Sequence, residues 1–464
     1  MKITDIKKKP DNPVTVLQFG EGKFLRAFME DIIYESVKEG RYKGSVTVVK
    51  PRPGSVTAFT EQDCMYTLIV RGLVSGNIVD EKKIITSINE ILKFYDDTNK
   101  FYDEAHNENL KVIISNTTEA GICVDEDDQF SNKLPNTYPG KLTKFLFTRY
   151  EYFNGDFNRG LLVLPMELNE NNGELLYKSV KAYIKMWNLD EKFLQWVKKG
   201  CLFCNTLVDR IVSGYSNEEL EYEDRLIDVC EPYYLLAVET EDKDEVVKRF
   251  PVLNENKNIV ISDDISIYKE RKVKILNGIH TGVSLAAYNA GYEYVREYMN
   301  DDTFEKWIKN LLNREIIPTI DMDMQKLEEY AEETILRLKN PFLNHRILDI
   351  SLNSVAKWKV RILPTIIDFY RMKGVLPKGL VFSLAALINF YRLSRSEGYR
   401  TTDSEYIIGI FENGGNSIVE RFLSDANIWG EQIGFICKLV DITEKNLDKI
   451  NRLGIKGAIE ELCG

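Results

Sequence analysis

The sequence predicts an α/β plus α chain, with an N-terminal Rossmann-like doubly wound sheet followed by an all-α C-terminal domain. Three observations point there. Up to about residue 265, short β-branched runs alternate with helical stretches, the pattern of a parallel sheet with crossover helices. Beyond Ser266, helical periodicity continues almost without a break. At 464 residues the chain also exceeds the size at which one hydrophobic core keeps growing, so two domains, 1–265 and 266–464, are expected.

The elements follow in order. Val14-Thr15-Val16-Leu17-Gln18-Phe19 reads as a buried strand, Gly20-Glu21-Gly22 as a turn, and the residues to about Lys38 as a helix. Residues 45–49 form a second β-branched strand that stops at Lys50-Pro51-Arg52-Pro53-Gly54, completing a βαβ unit. Residues 64–88 have the look of an inserted hairpin with Gly72 and Gly76 near its turn. Further strands are expected at 112–115, 161–164, 233–238 and 259–261. Helices are expected at 267–289, 302–313, 325–338, 376–394 and 415–424.

Composition narrows the class of partner. The net charge of −11 is spread through interspersed acids and bases, which disfavours nucleic acid or an anionic membrane surface. No apolar run has the length of a membrane span, and the early lysines precede no signal-type segment, so a cytoplasmic chain is expected. Seven dispersed cysteines suit reduced thiols. Cys201 and Cys204 make a lone CxxC with no second pair, so no metal is expected there.

The first turn is a nucleotide-site candidate. Phe19, Gly20, Gly22, Phe24 and Arg26 occupy the place where a dinucleotide fold puts its phosphate loop; glycine there lets backbone approach a pyrophosphate. Leu25 stands where a third glycine would complete the usual pattern. The second strand ends on Lys50 and Arg52 rather than on an acid, which by itself leans toward NADP over NAD. Asn116, Thr117 and Glu119 follow the 112–115 strand and are expected beside the same crevice.

Lys272, Asn277 and His280 share one apolar helix. At 100° per residue they span ~140°, overlapping the arc of Leu276, Ile279 and Val283. They cannot all face water. A lysine drawn into such a surface is a candidate general acid/base. The helix alone also allows a snorkelling lysine, a backbone-bonded asparagine and a satisfied core histidine.

With these pieces assembled, the chain resembles the long-chain polyol dehydrogenase family that includes mannitol dehydrogenase. The resemblance rests on segments in family order: Leu17 to Phe28, Ser115 to Ile122, Cys204 to Ile211, Glu231-Pro232-Tyr233, Lys272 to His280, and Asn340 to Arg346. It implies Lys272 as general acid/base, Asn277 as donor to the reacting oxygen and His280 as a substrate hydroxyl contact, with no metal. It implies NAD as cofactor, against the Lys50 reading, with NADP left open. It also places Asn205 and Asp209 at the active-site wall. Two departures stand out. The family's second oxyanion donor falls in Pro165-Met166-Glu167-Leu168, and its substrate-binding arginine falls on Asp349 while the lysine partner falls on Lys357. His345, Arg346, Lys357 and Arg361 lie nearby, and a base among them would suit the carboxylate of a small sugar acid. An ordinary ion pair is the alternative for each. A monomer or small homo-oligomer is expected, and a nucleotide sensor without turnover is the alternative of a different class.

Overall fold

The structure is a computed structural model describing residues 1–214, 218–397, 402–412, 418–430 and 438–464, with only backbone described at 119 and 395–397. The chain divides into two compact units, Met1–Arg71 with Val79–Ile265, and Gly72–Ile78 with Ser266–Gly464.

The described residues include twelve strands, all in the first unit but for the Gly72–Ile78 tip of β3 and β4: β1 (Val14–Phe19), β2 (Ser45–Lys50), β3 (Tyr66–Val74), β4 (Asn77–Ile85), β5 (Ile88–Lys93), β6 (Val112–Ser115), β7 (Leu162–Pro165), β8 (Leu202–Phe203), β9 (Asn205–Asp209), β10 (Asp228–Cys230), β11 (Leu235–Glu239) and β12 (Ile259–Ser262). Six make one sheet in the order β5-β2-β1-β6-β7-β8, parallel throughout. Alternate residues serve opposite cores, since Val16, Val48 and Ile114 point to one apolar layer and Leu17, Val49 and Ile113 to the other. The strand order turns back between β1 and β6, so a crevice opens at the carboxyl ends of those two strands.

Two details differ from the sequence-based expectation, while the expected hairpin is present. β11 and β12 do not extend the main sheet; with β9 they form a separate three-stranded sheet. The expected helix after β1 is two helices, Lys23–Arg26 and Met29–Lys38, because Phe28 leaves helical geometry (φ −129°, ψ −86°) as its ring drops into the core. The hairpin pairs β3 with β4, and Ser75 and Gly76 both take positive φ at its tip, as a tight two-residue hairpin requires. Cys201 and Cys204 flank β8, and burial pushes their thiols up to about 11 and about 12, the reverse of a reactive thiolate.

The Met29–Lys38 helix carries two acids into the interior. Asp31 accepts hydrogen bonds from Arg210 Nη1 at 2.7 Å and Lys83 Nζ at 3.0 Å. Glu30 is fully buried; loss of hydration raises its carboxyl from 4.5 to about 7, against the opposing pull of the Ser87 hydroxyl, the Gln18 amide and Arg26. The native state therefore keeps a proton that the unfolded chain releases. Stability contributed below pH 4.5 is lost as pH rises through about 7, by ~3 kcal/mol in total. Glu30→Gln is expected to flatten that part of the curve, read as a smaller difference in urea midpoint between about pH 5 and about pH 8.

The second unit is helical around Lys378–Glu397, whose Leu380, Val381, Leu384, Leu387 and Ile388 are buried. The expected 267–289 helix is present but tripartite: α-helix Ser266–Arg271, π-helix Lys272–Asn277, α-helix Gly278–Asn289. The expected 302–313 helix is α over Asp302–Asn310 and passes into a second π segment, Leu311–Ile316. The expected 415–424 helix is observed at Ile418–Leu423; residues 413–417 lie outside the described residues. No helix among the described residues is long and apolar enough to cross a membrane.

Candidate active site

In the first unit the crevice is lined by the turn after β1 and the loop after β6. Gly20 has φ +118°, and its amide donates to Val49 O at 3.0 Å. A Cβ there would lie 3.1 Å from Asn116 O, so the two loops touch, whereas open space lies over Gly22. That combination leaves room for a ligand to approach backbone. Asn116 is tied on both sides, its amide donating to Phe19 O at 3.2 Å and its side chain to Met166 O at 2.6 Å. Thr117 donates from its amide and its hydroxyl to Glu167 Oε1, at 2.9 and 3.0 Å.

Lys50 forms an ion pair with Glu21. The cation at the end of β2 is thus matched by a carboxylate from the turn itself. Sequence reasoning looked for that acid on the strand and missed it in the loop, although Glu21 is the one acid between Gly20 and Gly22.

In the second unit the π segment changes the geometry of the polar trio. A π turn takes roughly 4.4 residues, against 3.6 for an α turn. Over five π steps and three α steps, the arc spanned by Lys272, Asn277 and His280 narrows from ~140° to roughly 60°. The three side chains therefore share one narrow face, which α geometry would deny them. The neighbouring cations are used elsewhere. Arg271 stacks on Tyr330 at 4.1 Å, and Lys274 is held by Glu270 at 2.7 Å, Asp368 at 2.8 Å and Thr319 O at 3.0 Å.

A second helix, Ser354–Arg361, packs against the glycine-bearing face. At Gly278 a Cβ would meet Arg361 O at 3.7 Å, and at Gly282 it would meet Ile362 Cδ1 at 3.2 Å. Arg361 Nη1 donates to Thr281 Oγ1 at 3.0 Å, and Lys357 Nζ donates to Ile350 O at 3.0 Å. The His345 ring lies 5.0 Å from that of His280, placed by backbone pairing of Val295 N with His345 O at 3.0 Å. Burial, then the charges of His345, Arg361 and Lys357, pull His280 down to about 3, so its ring is neutral. Its Nε2 is buried with no hydrogen-bond partner. Burial also lowers Lys357 and Arg361, and it lowers His345 against the opposing charge of Asp349. An anion entering this group would relieve the mutual repulsion.

With both units described, comparison with known proteins is direct. Residues 14–249 match the mannitol dehydrogenase Rossmann domain and residues 264–450 the mannitol dehydrogenase C-terminal domain. The chain belongs to the mannitol dehydrogenase family. As a member it is an oxidoreductase of the polyol and sugar-acid dehydrogenase class. It is 37% identical to an altronate oxidoreductase of Bacillus subtilis (strain 168), over 97% of this chain and 95% of that one. It is 36% identical to an altronate oxidoreductase of Escherichia coli O139:H28, over 97% of each. Among solved structures, D-sorbitol dehydrogenase in substrate-free form superposes with a TM-score of 0.80 at 20% identity, covering 99% of this chain and 100% of that one. Pseudomonas fluorescens mannitol 2-dehydrogenase, solved as a ternary complex with NAD and D-mannitol, gives 0.69 at 20% identity, covering 97% and 94%.

Within this mannitol dehydrogenase framework, several of the expected site residues are engaged by protein partners. Arg26 is buried; it donates from Nη1 to Leu226 O at 2.6 Å, lies 3.6 Å from Asp228, and rests 5.3 Å from the Tyr66 ring. Such a guanidinium is held in the core. The Phe19 ring packs against Phe101 and Tyr138, leaving only backbone at the crevice, and Phe24 stacks on Phe28 at 5.0 Å. Asn205 uses both ends of its amide, accepting from Glu174 N at 3.0 Å and donating to Glu239 at 2.9 Å. Asp209 is buried at the end of β9. Arg346 is exposed and pairs with Glu293 at 2.9 Å, the ordinary ion pair that sequence left open. The Glu119 side chain lies outside the described residues. Glu167, at the place of the second oxyanion donor, accepts three hydrogen bonds rather than donating one.

Proposed function

We propose that this family member is an NAD-dependent tagaturonate reductase, or altronate oxidoreductase, interconverting D-tagaturonate and D-altronate in hexuronate catabolism. The observation that carries this reading is the group of His345, Lys357 and Arg361 around His280, on the helix that bears Lys272 and Asn277. A sugar acid brings the carboxylate that such a group would bind, and a neutral polyol does not. The altronate oxidoreductases of B. subtilis and E. coli, similar over nearly their whole length, support the same substrate class.

Bound NADH would supply the hydride to the ketone carbon. Lys272 gives a proton to the oxygen as it gains charge, and takes it back in the reverse direction. Asn277 donates a hydrogen bond to the same oxygen, a fixed dipole that needs little reorganisation. His280, neutral, meets a sugar hydroxyl through its unpartnered Nε2. The open backbone at Gly22 would receive the cofactor's pyrophosphate, with Gly20, Asn116 and Thr117 lining the crevice. The Lys50–Glu21 pair favours NAD over NADP, because the cation at the strand end already has its counter-charge while Glu21 can accept from ribose hydroxyls.

Cofactor loss measured with D-tagaturonate, D-fructuronate and D-fructose, with NADH and NADPH in turn, tests the assignment. Fastest consumption of NADH with D-tagaturonate is expected. Activity on fructose alone would reject the sugar-acid reading, preference for fructuronate would make it a fructuronate reductase, and cofactor binding without turnover on any of them would make it a sensor. Gly20→Ala is expected to weaken NADH binding on the order of tenfold, since a side chain at φ +118° is strained and its Cβ meets Asn116 O. A fluorescence titration with NADH checks this.

A further inference from the structure

We infer that Glu167 is a positioning residue for the nucleotide crevice, bracing the 115–117 loop from the end of β7 in the shape a cofactor meets; this rests on the NAD-dependent reading above. Glu167 is 3% exposed, and three donors point at its carboxylate. Ser115 Oγ donates to Oε2 at 3.1 Å, and Thr117 N and Oγ1 donate to Oε1 at 2.9 and 3.0 Å. Three donors aimed at one carboxylate suit its ionised form.

The Glu167 backbone is fixed in turn. Met166 N donates to Ser115 O at 2.7 Å, and the Asn172 amide donates to Pro165 O at 3.0 Å and Glu167 O at 2.9 Å. Between the two residues that Glu167 holds sits Asn116, whose carbonyl is the atom lying 3.1 Å from a Cβ built on Gly20. The carboxylate therefore acts at one remove on the clearance above the first turn, from 50 residues further along the chain. Burial pushes its carboxyl up while the Thr117 and Ser115 donors oppose this. Stability alone would be served as well by an apolar side chain, because a buried charge is costly to desolvate. The cost is understandable where the loop shape is what matters.

The test is NADH titration by fluorescence on the full chain and on Glu167→Ala, Glu167→Gln and Thr117→Val, each below its unfolding midpoint. Glu167→Ala is expected to bind NADH about tenfold more weakly, with kcat at saturating NADH within about threefold. Glu167→Gln keeps an oxygen for both Thr117 donors and is expected to recover to within about threefold. Thr117→Val, which removes one donor, is expected to weaken binding by about threefold. A merely structural carboxylate would lower the unfolding midpoint of Glu167→Ala and leave NADH affinity unmoved, which would overturn the inference. Equal weakening in the Ala and Gln variants would also overturn it, assigning the effect to charge instead of bracing. If Glu167→Ala does not fold, unchanged affinity in Thr117→Val overturns it. A native chain that binds no NADH overturns the NAD-dependent reading itself, a result distinct from all of these.

Discussion

Lys272→Ala is expected to lower turnover of D-tagaturonate on the order of 10²-fold or more while leaving NADH affinity within about twofold. Arg271, Lys272 and Lys274 follow closely on this helix, and the candidate proton donor is the one on the face of Asn277 and His280. Arg271 lies against Tyr330, and Lys274 is locked by Asp368, Glu270 and Thr319. Lys272 alone shares the narrow face with Asn277 and His280. The comparison to make is Lys274→Ala, which breaks a buried ion pair and so is expected to lower the unfolding midpoint much more than the turnover of the folded fraction. Steady-state kinetics with both variants separates the roles. Normal turnover in Lys272→Ala would remove the lysine from the mechanism.

Arg361→Met is expected to raise KM for D-tagaturonate by about 10- to 100-fold, with a much smaller change for neutral fructose, the loss of a charge-assisted bond to a carboxylate being worth about that much. Arg361 reaches the site from a helix that packs against Gly278 and Gly282, and it already holds Thr281 at 3.0 Å. Lys357 lies one turn before it on the same helix, so its ammonium retains part of the attraction. Arg361→Lys, which keeps charge but loses the planar fork, is expected to fall between the two. The decisive quantity is the ratio of kcat/KM for uronate and ketose. An equal change for both substrates would reduce Arg361 to a structural role.

Much of this was legible beforehand. The alternation of buried strands and helices up to residue 265 marks the parallel sheet, because a strand covered on both faces shows as a continuous apolar run. The spacing of Lys272, Asn277 and His280 marked a polar set on an apolar helix. The π turn was not legible, since a 100° periodicity presupposes the α pitch that this segment abandons. Nor was the fate of Arg26, whose position beside two glycines looks ligand-like until Leu226 O and Asp228 are seen to claim it. Lys50 leaned toward NADP for the same reason: its partner Glu21 lies 29 residues earlier, beyond the reach of local reading.

What the sequence determined by itself was much of what depends on short windows: most strands of the main sheet, the helical second half and the glycine turn after β1. Periodicity and backbone preference act between near neighbours, so they are written where they act. Tertiary structure alone decided which polar side chains are paired and which are gathered into one group. Arg26, Arg346 and Asn205 were consumed by partners distant in sequence, while His345, Lys357 and Arg361 were gathered around His280 from 65 to 81 residues away. Pairing energies fall off with distance in space and are indifferent to separation along the chain, so no local pattern could have sorted them.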